Sequence, residues 1–265
     1  VLDAKCYGHH LIGVKLTPEG IDLNQFRDVA NKNAVAAFYG IPFHQNPTGI
    51  TYTEENRKDV ERICREHSIP CVWDICYQAL RYDGKTNGSI EVSEWGPILT
   101  SSFTKTISPG TKCGHLSGII ANTRINPNLP TQAFIADFIE SGRYDDFVKY
   151  LCKLYRPRME ALNTALNSSF PGAFPVAISG GFFAPLTLEN ISSDKGASFI
   201  ESAKQAGVGV AAAWDAVPPN CKEEMRKKGL LLLIPLKSAG CSAPKRPLVP
   251  IEIGHPLCRS EATLG

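Results

Sequence analysis

Five short apolar runs punctuate the first half of the chain: Val14–Leu16, Ala34–Tyr39, Pro70–Trp73, Ile98–Phe103 and Leu116–Ala121. Their near-continuous apolarity predicts strands covered on both faces, as in parallel sheets. Helical patterns lie between them. The clearest is Glu54–Glu66, where Val60, Ile63 and Cys64 form one apolar stripe amid charge. Thr51 or Thr53 can cap its start, and Thr51 with Glu54 has capping-box spacing. Alternation of strand, helix and strand predicts an α/β domain with a mainly parallel sheet.

From Leu129 the pattern changes. Thr131–Ser141 and Tyr144–Asn167 read as helices, the second long, with Phe147, Leu151, Leu154, Met159, Leu162 and Leu166 recurring at helical spacing. A long helix leaving an α/β domain predicts a bridge to a smaller α+β unit. That unit contains Gly180-Gly181-Phe182-Phe183, a helix near Lys195–Ala206 and a strand at Leu230–Leu236. The expected division is a large domain over 1–145, a bridging helix over 146–169, a small domain over 170–238 and an irregular tail over 239–265. The tail is rich in Pro and Ser and lacks periodicity. The chain starts at Val1 inside strand-like sequence, which predicts a fragment of a longer protein.

Charge is nearly balanced, with 28 basic and 26 acidic residues. No dense basic stripe exists, so nucleic acid is not an expected partner. No apolar run is long enough for a membrane span, and no signal peptide is expected. The nine cysteines form no CxxC pair and find no histidine at zinc-site spacing. They predict free thiols in a reducing, cytoplasmic setting and no metal site.

Open α/β sheets place ligands at the carboxyl ends of their strands. Three such ends carry unusual chemistry. Pro42–Gly49 reads PFHQNPTG, Asp74–Tyr77 reads DICY, and Ser101–Gly110 places Lys105 among small hydroxyls before a Pro-Gly turn. Hydroxyls can hold a phosphate, and a lysine amine can hold a carbonyl carbon covalently.

The words NPTG at Asn46–Gly49, DxxY at Asp74–Tyr77 and SFTKTxSPGxKxG at Ser102–Gly114 occur in order. With them the chain resembles the class I/II pyridoxal-phosphate-dependent aminotransferases of fold type I. The HQNPTG variant resembles the aminoadipate and multisubstrate branch, and the resemblance covers roughly residues 1 to 238. It implies pyridoxal 5′-phosphate as cofactor, an amino acid and a 2-oxo acid as substrates, and a homodimer. It further implies that Lys105 carries the cofactor as a Schiff base and afterwards shuttles a proton. Asp74 pairs with the protonated pyridine nitrogen, Tyr77 and Asn46 reach the cofactor's 3-oxygen, and Ser102, Thr104 and Lys112 hold the phosphate. The family usually has arginine at the place of Lys112; lysine keeps the charge but loses the bidentate fork.

Two departures weigh against a simple transfer of function. Such proteins usually carry a hundred or more residues ahead of the point where this sequence starts, including a phosphate-contacting loop and a ring-stacking aromatic. They also bind the substrate α-carboxylate through an arginine in a late strand, where this chain has Leu230-Leu231-Leu232-Leu233-Ile234. Arg226 and Lys237 flank that run but do not fit the register. Three outcomes therefore stay open: an aminotransferase, a lyase or synthase on the same fold, and a truncated or degenerate non-catalytic domain, including the effector domain of a transcription regulator.

Overall fold

The computed structural model describes residues 8–93, 96–109, 113–116, 129–172, 177–188, 193–212 and 230–235. A four-stranded sheet organises the first half. Its strands are β3 (Phe38–Gly40), β4 (Cys71–Asp74), β5 (Ile98–Ser102) and β6 (Gly114–Leu116), hydrogen-bonded in that order. β3, β4 and β5 are parallel, whereas β6 runs antiparallel to β5. The sequence pattern had implied a further parallel strand there. The connection from Ser102 to Gly114 is short for a parallel crossover, which favours the reversed direction. The rest of the expected Leu116–Ala121 run lies outside the described residues.

Register puts Phe38, Gly40, Cys71, Trp73 and Leu99 on one face of the sheet, and Tyr39, Val72, Asp74 and Thr100 on the other. The first face is the core face. Trp73 is fully buried and meets Phe38 and Tyr52 edge-on, at centroid distances of 5.3 and 5.8 Å. A side chain at Gly40 would run into the Trp73 ring. On the second face Tyr39 is exposed and Val72, Asp74 and Thr100 are half-buried. The expected two-sided cover is thus corrected to one-sided cover among the described residues, with alternation in place of uniform burial.

Two helices close the core face. α1 (Leu23–Lys32), which the apolar-run reading missed, is capped by Asp22, whose carboxylate accepts from the amides of Asn24 and Gln25. It buries Phe26 and Ala30, one turn apart. α2 (Glu54–Glu66) matches its expected bounds and buries Val60, Ile63 and Cys64. Its cap is Thr53, which accepts from Asn56 N at 3.1 Å. The Thr51–Glu54 box does not cap it, because the Thr51 hydroxyl accepts from His44 N instead. The Val14–Leu16 run is not part of the main sheet: β1 (Leu16–Thr17) and β2 (Gly20–Ile21) form a small antiparallel hairpin. Buried Asn56 pins it to α2, accepting from Ile21 N and donating to Ile21 O, so its amide is satisfied by a single backbone residue.

The second half opens with α3 (Leu129–Glu140) and α4 (Arg143–Ser169), each within two residues of expectation. Of the expected stripe on α4, Met159 and Leu166 are buried, while Leu154 faces solvent. β7 (Phe183–Leu188), β8 (Ala211–Ala212) and β9 (Leu230–Pro235) form an antiparallel sheet in the order β7-β9-β8, with α5 (Ser193–Gln205) between β7 and β8 in sequence. One apolar cluster joins this half to the segment after β4: Cys76, Tyr77, Leu80 and Tyr82 pack with Met159, Leu166, Ile178, Ala184 and Leu186. No helix among the described residues is long and apolar enough to cross a membrane, and none of their His, Cys, Asp and Glu side chains cluster as a metal site. The expected tail at 239–265 lies outside the described residues.

Candidate active site

Parallel neighbours β3, β4 and β5 end side by side, so the loops after them share one edge of the sheet. Asp74 closes β4 on the half-open face. Its Oδ1 accepts from Cys76 N at 3.1 Å and its Oδ2 accepts from Tyr39 OH at 2.6 Å. A carboxylate has about four lone-pair sites. Two donors fix its direction and leave capacity for a third donor such as a protonated ring nitrogen.

Three residues on, Tyr77 is buried, and its ring meets Phe182 edge-on at 5.9 Å. Asn46 Nδ2 donates to Tyr77 OH across a long 3.5 Å. Burial, together with nearby Cys76, holds the Tyr77 hydroxyl in its protonated form, and the Asn46 bond partly opposes this. Lys105 Nζ lies 5.9 Å from the Tyr77 ring centroid, over its face. Lysine, tyrosine, asparagine and aspartate from three different loops are thereby brought together around Tyr77.

The end of β5 gathers hydroxyls. Ser102 Oγ and Thr104 Oγ1 are 2.8 Å apart, Thr104 N donates to Ser102 Oγ at 3.2 Å, and Ser102 Oγ donates to Cys113 O at 3.4 Å. A cavity of about 320 Å³ opens beside them, lined in part by Cys76, Ser101, Ser102, Thr106 and Tyr144. Tyr144 OH donates to Thr106 Oγ1, tying α4 to the Lys105 loop. The donor set fits a phosphorylated aldehyde: an amine for the carbonyl, an acid for the ring nitrogen, phenol and amide for the ring oxygen, and hydroxyls for the phosphate. Lys112 lies outside the described residues.

Motif reading alone missed three contributors. Tyr39 orients Asp74 from the neighbouring strand. His44 and Asn87 organise the Asn46 loop. His44 is buried with its backbone in the left-handed region, at φ 49°. Arg81 Nη1 donates to Asn87 Oδ1, which fixes that amide's orientation. Asn87 Nδ2 therefore faces Gln78 O and His44 Nε2 as a donor, at 2.6 and 3.0 Å. Nε2 must accept, so the ring proton sits on Nδ1, directed at Thr51 Oγ1. Burial, reinforced by the Arg81 charge and partly offset by Asp83, pushes the His44 pKa down to about 4. Gly180 lies against this ring and Gly181 against the His44 Cβ, so a side chain at either would collide with His44. The HQ pair before NPTG was the available signal, but nothing in its spacing reveals partners 43 and 135 residues away.

No family model matches the chain. Among curated proteins it is 26% identical over 202 residues to aromatic-amino-acid aminotransferase 1 of Thermococcus litoralis, covering 69% of this chain and 48% of that protein. It is 22% identical over 179 residues to the HTH-type transcriptional regulator NorG of Staphylococcus aureus, covering 63% of this chain and 40% of the regulator. The chain thus spans under half the length of these relatives. Among solved structures, Pyrococcus horikoshii kynurenine aminotransferase in complex with PMP aligns with a TM-score of 0.73 at 24% identity, over 85% of this chain and 58% of that one. The described architecture is the fold-type I aminotransferase fold.

Proposed function

We propose that this chain, whose fold is that of the fold-type I aminotransferases, is a pyridoxal-phosphate-dependent aminotransferase that moves an amino group between an amino acid and a 2-oxo acid. The observation that carries the proposal is the convergence on Tyr77: Asn46 at its hydroxyl, Lys105 over its ring, and Asp74 three residues before it. When bound, the cofactor would supply an electron sink for charge developing at the substrate Cα. The protein residues would do the rest. Lys105 Nζ would attach the cofactor and then carry the proton removed from Cα. Asp74, held by Tyr39 and Cys76 N, would keep the ring nitrogen protonated by charge pairing. Tyr77 and Asn46 would hold the ring oxygen, and Ser102, Thr104 and Lys112 the phosphate.

The proposal extends to organisation. We assign a large domain to 1–145, a bridging helix to 146–169 and a small domain to 170–238; the single helix α4 over Arg143–Ser169 supports the bridge. Exposed Leu129, Phe134 and Ile139 on α3 support a homodimer, since a second subunit would cover them. Cys64, Cys71, Cys76, Cys113 and Cys152 are free thiols, which supports a cytoplasmic setting.

A second reading has its own support. The leucine run of β9 and the similarity to NorG both favour an effector domain that binds the cofactor without turnover. Mixing the cofactor-loaded chain with glutamate and a 2-oxo acid separates the two. Repeated formation of the second amino acid supports the aminotransferase; a spectral change without product supports the effector domain and sinks the aminotransferase.

A further inference from the structure

A groove of about 700 Å³ runs between residues 78–87 and the first half of α4. Among the described residues five cationic side chains line it, Arg81, Lys85, Lys149, Lys153 and Arg156, and no carboxylate does. Two of the five are neutralised nearby. Arg81 forks onto Asp83 through two 2.8 Å bonds, and Lys149 pairs with Asp146. Lys85, Lys153 and Arg156 form no ion pair among the described residues.

The walls are fixed to each other. Arg156 Nε donates to Tyr82 O at 2.6 Å, and Cys152 Sγ donates to Ala79 O at 3.5 Å. The first bond holds the Arg156 guanidinium, and its two terminal nitrogens have no hydrogen-bond partner among the described residues. Gly84, at φ 83°, lies against that guanidinium, where a side chain would crowd it. A solvated lysine face on an isolated helix would have neither the concavity nor the tethered arginine. The volume lies within the roughly 300–1,000 Å³ of small-molecule sites. Oriented guanidinium donors beside ammonium groups match phosphate and carboxylate oxygens.

We propose that this groove binds a small ligand carrying two or more anionic groups, either phosphates or carboxylates. Lys105 and Asp74 do not line it, so it is a second site. It nevertheless shares Gln78 and Ala79 with the cavity beside Ser102, so its occupant sits next to the Tyr77 segment.

Calorimetric titration of the full chain with pyrophosphate and with citrate tests the proposal, because the two probes separate phosphate from carboxylate recognition. The expected result is saturable one-to-one binding of at least one probe. A Lys85→Gln/Lys153→Gln variant should weaken it roughly tenfold or more. A charge-matched Lys32→Gln/Lys58→Gln variant, altered on α1 and α2, should leave it unchanged. Both doubles change exposed side chains, so folding is not at stake. Lys105→Ala should lose cofactor attachment yet keep probe binding, which separates this site from the proposed active site. Absence of saturable binding, equal weakening by both doubles, or loss of probe binding in Lys105→Ala would overturn the proposal.

Discussion

The ends of the parallel strands and the antiparallel sheet β7-β9-β8 solve different problems. At the strand ends, polar groups are gathered and held: Asp74 by two donors, Tyr77 by Asn46, Ser102 by Thr104 and Cys113. In the antiparallel sheet the central strand is Leu230–Pro235, five aliphatic residues and a proline. The first region is equipped for cofactor chemistry. The second supplies packing and, in its leucine run, no charge for a substrate carboxylate. The proposed cofactor attachment therefore rests on the first region, and the second offers no comparable group for a substrate.

The largest expected effect is at Lys105. Lys105→Ala should abolish the visible absorbance of the cofactor-bound chain while changing its thermal stability little, since the lysine is half-buried and belongs to neither apolar cluster. Trp73→Ala should act in the opposite sense, destabilising by about 3–5 kcal/mol in chemical denaturation by opening the core under the strand ends. If both substitutions damaged stability equally, the division between chemical face and core face would fail.

His44 gives a pH signature. Its pKa is about 4 in the fold against about 6.5 unfolded, so the unfolded state binds the extra proton between those values. Stability should then be fully present above about pH 6.5 and fall by up to about 1.4 kcal/mol per pH unit on acidification toward pH 4. Denaturant titrations of the native chain and His44→Gln across that window should show a steeper slope for the native chain. A parallel slope would contradict a His44 ring held neutral by burial.

Substrate anchoring can be sharpened directly. If the leucine run lacks a carboxylate partner, glutamate should bind the cofactor-loaded chain weakly. Arginine placed in turn at Leu230, Leu231, Leu232 and Leu233 should improve binding roughly tenfold at one position, read from the absorbance titration. A smaller effect is expected at the caps: Thr53→Ala should cost about 1 kcal/mol in denaturation, by loss of the Asn56 N partner.

What the sequence disclosed follows from how local each feature is. Asp74, Tyr77, Lys105 and Asn46 stood out because their motifs are contiguous and their residue types are chemically specific. α2 was legible from one apolar stripe with a threonine ahead of it. Which threonine caps it was not, because Thr51 is drawn to His44, a contact that depends on a left-handed turn. Tyr39 serves Asp74 across 35 residues, and only the strand register puts the two on one face. The direction of β6 was hidden because a short apolar run reads alike in either orientation. One-sided burial of β3 and β4 was masked for a similar reason: Val72 is apolar yet stands on the open face beside Asp74.

The central claim, that Lys105 is where a pyridoxal cofactor attaches, is tested most directly by borohydride reduction of the cofactor-treated chain followed by peptide mass spectrometry. The account predicts one cofactor added per chain, on the peptide containing Lys105 and on that lysine. Label spread over surface lysines, or a Lys105 peptide of unchanged mass, would contradict it.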